Sequence, residues 1–163
     1  MKKIYQRVMD PKRGDCMQAT IASLFDDEYE NVPSFIEHDN MGVLFDEYLE
    51  SKGCKIEGVL HNKTWNAILH PTSDCWKELR SYEPQILKQE NLGVGLNGYF
   101  YCSVLSPKYF SWQHMGTHAV ICDSNFNIVH DPNRDYEDLK SYPLSRIIGY
   151  SGIIGLYKIV KKQ

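Results

Sequence analysis

The sequence lacks several features that mark membrane, secreted or nucleic-acid-binding proteins. It has no apolar run of the roughly 18 residues that cross a membrane, and the apolar stretch from Gly152 to Tyr157 ends at Lys158. No apolar segment follows the lysines at positions 2 and 3, which argues against a signal peptide and favours a cytoplasmic location. The formal net charge of -3 differs from the strong positive charge of electrostatic nucleic-acid binders. We therefore expect neither a membrane nor nucleic acid as a partner.

Cysteine pairs at metal-binding or redox spacing are also missing. The five cysteines include no C-x-x-C, and their odd number cannot pair completely, so reduced and mostly buried thiols are expected. A metal ion would find candidate ligands in His114, His118, His130 and Asp131. However, Met115 stands where an H-E-x-x-H motif needs glutamate, and the residues after Gly116 favour a strand over a helix. We predict no metal site and no cofactor.

The length and composition suit one globular domain. The chain has 163 residues, of which 42% are apolar, and no internal repeat or low-complexity segment divides it. We expect a single domain over residues 1–163. Helical patterns come first along the chain and strand patterns last, which predicts an α+β fold rather than alternating strand–helix units.

Two helices are predicted in the N-terminal third of the chain. The first begins at Cys16, because apolar residues recur from there at helical spacing: Met17, Ile21, Leu24 and Phe25. The second runs from about Asn40 to Lys52, where Gly53 terminates it. Its apolar side is expected to carry Val43, Leu44, Tyr48 and Leu49.

Segments rich in aromatic and β-branched residues predict the strands. They cover residues 3–9, 54–60, 99–105, 117–122, 126–130 and 153–160, whereas residues 61–91 give no clear pattern. A two-residue turn at Ser124 and Asn125 would place His118 directly opposite Asp131 on neighbouring antiparallel strands, with Cβ atoms about 5 Å apart. A register shift of one residue would move the two side chains to opposite faces of the sheet.

Three residues that lie far apart in the sequence combine into a candidate catalytic site. Cys16 lies in the first turn of its helix, where unpaired N–H groups and the helix dipole favour the thiolate, the nucleophile of cysteine hydrolases. The Asp131 carboxylate would orient the His118 imidazole and stabilise its protonated form. Each residue alone also fits a structural role, as a buried thiol, a core histidine and a turn aspartate. Their combination favours catalysis.

The chain contains, in order, Gly14-Asp-Cys16-Met-Gln-Ala19, His118-Ala-Val120 and Asp131-Pro132. These motifs resemble those of papain-like cysteine peptidases, and most closely the domains that process bacteriocin leader peptides. The resemblance implies a papain-like fold, with a nucleophile helix packed on a C-terminal antiparallel sheet. It also implies Cys16 as the nucleophile, His118 as general base and acid, and Asp131 as the orienting residue.

Two positions depart from the family's pattern. Met17 follows the candidate nucleophile, where the family usually has glycine or an aromatic residue. The family's oxyanion-hole glutamine stands a short step before the cysteine, whereas the upstream candidate here is Gln6, ten residues before Cys16. Gln6 would donate to the oxyanion together with the backbone N–H of Cys16. The other interpretation of Gln6 is a solvated strand residue.

An aromatic segment leads into His118. Residues 106–116 are expected to form a loop, in which a group of side chains would line a substrate groove: Tyr109, Phe110, Trp112 and His114. The alternative is that these rings cover one end of the core.

The function predicted from these residues is hydrolysis of a peptide or amide bond through an acyl-enzyme on Cys16, with a peptide or protein as substrate. The same residue types also serve acyltransferases and deamidases. A second hypothesis is an inactive papain-like domain that binds a protein or peptide in the groove. A small protein of this kind would suit a bacterial or phage accessory role.

Overall fold

Two α-helices precede a five-stranded sheet in the computed structural model, which describes residues 1–10, 14–61, 93–111, 114–125, 127–135 and 153–163. The helices are α1 (Cys16–Leu24) and α2 (Met41–Ser51). The strands are β1 (Cys54–His61), β2 (Tyr99–Ser111), β3 (His114–Asp123), β4 (Ile128–His130) and β5 (Ile153–Lys161). The protein therefore has the expected α+β class.

The sheet is antiparallel in its described pairs, and its strands lie in the order β1-β5-β2-β3-β4. β2 is central, because Tyr101 lies opposite Tyr157 of β5 on one side and Ile121 of β3 on the other. Side chains on both faces of this central part are buried, including Tyr101 on one face and Cys102 with Leu156 on the other. This explains why the central strands read as nearly continuous apolar runs.

Helix α1 begins at Cys16, as predicted, and is buried along its whole length. Ala19 and Ala22 are fully buried, and their small side chains allow the sheet to approach closely. The polar residues of α1 are bonded to other elements: Gln18 Nε2 donates to Val32 O at 2.7 Å, and Thr20 Oγ1 donates to Ala119 O at 3.1 Å. The second bond joins α1 to β3 next to His118.

Helix α2 matches its predicted range but presents a different face to the core. Phe45, Tyr48 and Leu49 are buried at helical spacing, and Phe45 makes an edge-to-face contact with Phe35. The prediction that Val43 belongs to the apolar side is wrong, because Val43 is 54% exposed. Tyr48 and Leu49 are buried as predicted, and Phe45 takes the place in the buried face that was predicted for Val43.

The predicted strand over residues 3–9 is not formed. Residues 4–8, here called the N-terminal strap, use their backbone groups mainly with side chains. Ile4 N donates to Ser23 Oγ at 2.8 Å, and the amides of Arg7 and Val8 donate to the Asp15 carboxylate. Because these donors are taken by side chains of α1 and its preceding residue, the strap joins no sheet, and its backbone bends at Arg7.

The other strand predictions are confirmed within one to several residues at each end, although Phe126 lies outside the described residues. In the described part of the chain, no helix combines the length and apolarity needed to cross a bilayer.

Candidate active site

A close backbone approach precedes α1. A Cβ atom at Gly14 would lie 2.7 Å from the backbone oxygen of Asp10, so glycine is needed at this position. Cys16 follows as the first residue of α1. It is 9% exposed, against 2% for Cys54 and 0% for Cys102. Cys16 is thus the most accessible of the four cysteines in the described ranges, all of which are free thiols.

Asp15 connects the beginning of α1 to the N-terminal strap. Its carboxylate accepts hydrogen bonds from Arg7 N at 2.8 Å and Val8 N at 3.0 Å, and from the hydroxyl of Tyr29. Burial, together with the bond to Asp15, raises the pKa of Tyr29, so this phenol remains a donor across the physiological range. Asp15 itself is 5% exposed, and its three bonds satisfy a buried charge.

His118 and Asp131 form a buried pair. His118 Nε2 lies 2.7 Å from Asp131 Oδ1, and both side chains are 6% exposed. The same carboxylate oxygen accepts the backbone N–H of Asn133 at 2.8 Å, which fixes its orientation in a tight turn. The His118 side chain also forms a hydrogen bond with the thiol of Cys16.

The charge state of His118 reflects both of its neighbours. Burial by itself lowers the pKa of His118, but hydrogen bonds and charges from Asp131 and then Cys16 outweigh burial and raise it to about 9. A pKa of about 9 favours the protonated imidazole at neutral pH, and the hydrogen-bond partners of the ring include a carboxylate and a thiol.

The predicted contact between His118 and Asp131 is present, but the predicted register is wrong. Asp123 N donates to Asn127 O, so the turn is wider than two residues, and Ile121 lies opposite His130. This register differs by two residues from the predicted one, with an irregularity between Ile121 and Cys122. A shift of two residues preserves the alternation of faces, so the carboxylate that follows β4 still reaches the imidazole.

Gln6 is bonded to the residue after Asp131 and to its own segment at the N-terminus. Its backbone N–H donates to Pro132 O at 3.0 Å, directly after Asp131, and its side-chain Nε2 donates to Val8 O at 3.1 Å. Its Oε1 atom is buried and has no hydrogen-bond partner. Neither bond of Gln6 involves Cys16, and the oxyanion role of Gln6 stays a prediction.

The aromatic segment before His118 is not the loop expected over residues 106–116. Tyr109 and Phe110 belong to β2, and His114 begins β3, with Phe110 opposite Met115. The register is irregular between Leu105 and Phe110, which accommodates a proline within a strand. Trp112 lies outside the described residues. The substrate-binding role of these four residues is untested and stays a prediction.

His130 supports the strap instead of the candidate triad. It is fully buried, its Nε2 bonds to Ile4 O at 2.8 Å, and its ring meets Tyr5 edge-on at 5.3 Å. A nitrogen that donates to a carbonyl carries a proton, so Nε2 has no lone pair for a metal ion. Among the described side chains, no group of three His, Cys, Asp or Glu residues is arranged to hold a metal.

Sequence reasoning missed two supporting residues. Asp15 stands in a recognised motif but had no predicted role of its own, and Asn133 had no role at all. The Asp-x-Asn spacing at 131–133 is a recognisable turn pattern. For Asp15, the contacts come from residues seven and eight positions earlier, and no local pattern reveals them.

Comparison of the chain with protein-family models, with curated proteins and with solved structures finds no match.

Proposed function

We propose that the chain is a papain-like cysteine hydrolase that cleaves a peptide or amide bond through an acyl-enzyme on Cys16. One observation carries the proposal: a buried imidazole, His118, contacts the Asp131 carboxylate through Nε2 and also forms a hydrogen bond with the thiol of Cys16. The thiol stands at the beginning of a buried helix that packs on the antiparallel sheet carrying the imidazole. Nucleophile, base and orienting carboxylate are the three parts that such chemistry requires.

The proposed reaction would begin with Cys16 as a thiolate beside the protonated imidazole of His118. The Cys16 sulfur attacks the carbonyl carbon. The resulting oxyanion would accept hydrogen bonds from the backbone N–H of Cys16 and from the side-chain amide of Gln6. The proton on His118 passes to the leaving amine as the C–N bond breaks. The imidazole then removes a proton from water, which attacks the thioester and releases the acid.

The raised pKa of His118 supports the first protonation step. An imidazole whose pKa is about 9 holds its proton at neutral pH and can deliver it to the departing amine. Asp131 stabilises that charged form by its 2.7 Å contact. A reducing compartment such as the cytoplasm suits this chemistry, because the described cysteines are free.

The test is incubation of the purified chain with a mixed peptide library, with products identified by mass spectrometry. We expect cleavage by the unmodified chain and none by Cys16→Ser. Cys54→Ser is the matched control, because a hydroxyl can keep the bond that Cys54 Sγ makes to Lys52 O. Cys54→Ser should retain cleavage. If Cys16→Ser cleaves as fast as the unmodified chain, or if the folded unmodified chain cleaves no peptide and forms no acyl-enzyme, the proposal is wrong.

A further inference from the structure

Asp15 occupies the N-cap position of α1 without capping it. An aspartate at this position usually accepts N–H groups of the helix's first turn. Here the Asp15 side chain makes no bond to the helix. Its carboxylate oxygens are taken by the amides of Arg7 and Val8 and by the Tyr29 hydroxyl. The residue directly before the candidate nucleophile therefore serves another segment.

That segment, the N-terminal strap, is bonded both to the chain around Cys16 and to the chain around Asp131. On one side it is bonded to Asp15, directly before α1, and to Ser23 within α1. On the other side it is bound to the chain around Asp131: His130 Nε2 bonds Ile4 O, and Gln6 N donates to Pro132 O. The strap thus connects the residue before Cys16 with the residues on either side of Asp131.

We infer that Asp15 is a positioning residue, whose carboxylate fixes the N-terminal strap across the beginning of α1 and so sets where Gln6 lies relative to Cys16. This inference rests on the proposed function, because it gives Gln6 the task of stabilising an oxyanion. A change at Asp15 would leave the thiol and the imidazole in place but displace the donor. A small displacement of a positioned group strongly lowers the rate of a reaction that depends on that group.

Two reactions of the Cys16 sulfur distinguish a role of Asp15 in positioning Gln6 from a general effect of Asp15 on the stability of the fold. Alkylation by iodoacetamide displaces iodide directly and forms no oxyanion, so its rate reports the thiolate alone. Acylation by p-nitrophenyl acetate passes through a tetrahedral oxyanion before p-nitrophenolate leaves, so its rate also reports the oxyanion donors. Water then releases acetate and restores the thiol.

The experiment compares Asp15→Asn with Asp27→Asn in the intact chain. Asp27 is the matched control: it is also a hydrogen-bonded aspartate that accepts a tyrosine hydroxyl, Tyr48, but it lies beyond the opposite end of α1. We expect Asp15→Asn to lower acylation of Cys16 at least about tenfold while alkylation stays within about twofold. Asp27→Asn should leave both rates within about twofold. Hydrogen exchange should become faster at the Arg7 and Val8 amides in Asp15→Asn only.

If Asp15→Asn does not fold, Asp15→Glu carries the same expectation, because its longer side chain moves the strap. Unchanged acylation in the folded variant would overturn the inference. An equal fall of both rates would also overturn it, since the effect would then lie on the thiolate. If Cys16 of the unmodified chain reacts no faster than Cys54 in either reaction, the proposed function fails. Hydrogen exchange then decides the anchoring role alone: faster exchange at Arg7 and Val8 supports it, and unchanged exchange overturns it.

Discussion

The imidazole of His118 is held by the carboxylate of Asp131, with 2.7 Å between Nε2 and Oδ1 and both side chains nearly buried. The backbone N–H of Asn133 fixes the same carboxylate oxygen. A buried pair of this kind must be well oriented, because burial of either charge alone would be strongly destabilising. The same imidazole forms a hydrogen bond with the thiol of Cys16, so the pair connects the candidate nucleophile to the carboxylate.

The pair predicts how stability depends on pH. The pKa of His118 is raised to about 9 from an ordinary value of 6.5, so the folded chain binds this proton more tightly than the unfolded chain. The stabilisation is fully present below about pH 6.5 and is lost as the pH rises towards 9. We expect the free energy of unfolding to decline over this window more in the unmodified chain than in Asp131→Asn. Urea denaturation across the window measures both slopes, and equal slopes would contradict the prediction.

The close approach at Gly14 predicts a matched pair of glycine variants. Gly14→Ala places a Cβ 2.7 Å from a backbone oxygen, and we expect a loss of about 1–3 kcal/mol in the free energy of unfolding. Gly42 lies in α2, and a Cβ atom added there would meet nothing within 4 Å, so Gly42→Ala should be neutral or stabilising by up to about 1 kcal/mol. Thermal or urea unfolding of both variants checks this. A Gly14→Ala variant as stable as the unmodified chain would show that the backbone can move aside.

Asp27 predicts a loss of stability under acid conditions. Hydrogen bonds from Lys52 and Asn31, then Tyr48, lower the pKa of Asp27 despite its partial burial. Its contribution is present above about pH 4 and is lost as the pH falls further. We expect Asp27→Asn to be less stable at neutral pH by on the order of 2 kcal/mol, with a difference that shrinks in acid. Acid unfolding curves measured by circular dichroism test this, and a constant difference across pH would count against it.

The sequence allowed prediction of the elements whose periodicity is strong. α1 and the central strands are predictable because their apolar residues recur over many positions, and packing reinforces that pattern. The strand prediction for the strap is wrong, because alternation of apolar and polar residues is not specific to strands that pair in a sheet. Its partners, Asp15 and Ser23, are side chains rather than a neighbouring strand. Sequence alternation alone does not distinguish these two environments.

The contact between His118 and Asp131 was predictable, but the register of the strands that carry it was not. The contact between His118 and Asp131 followed from alternation of faces, which survives a shift of two residues. The wider turn depends on Asp123, whose carboxylate accepts the amides of Asn125 and Asn127. That local bonding competes with the two-residue turn predicted from Ser124 and Asn125, and the sequence pattern does not rank the two alternatives.

The most direct test of the account is alkylation of the native chain by iodoacetamide across roughly pH 5–9, with each cysteine followed by mass spectrometry. Cys54 and Cys122 are internal controls. Burial raises the pKa of the Cys54 thiol, and a hydrogen bond to Cys102 together with burial raises that of Cys122. We expect Cys16 to react first, to remain reactive at mildly acidic pH, and to lose this advantage in folded His118→Ala or Asp131→Asn. If Cys16 instead reacts as slowly as Cys54, and only at alkaline pH, Cys16 is not an activated nucleophile and the catalytic account is wrong.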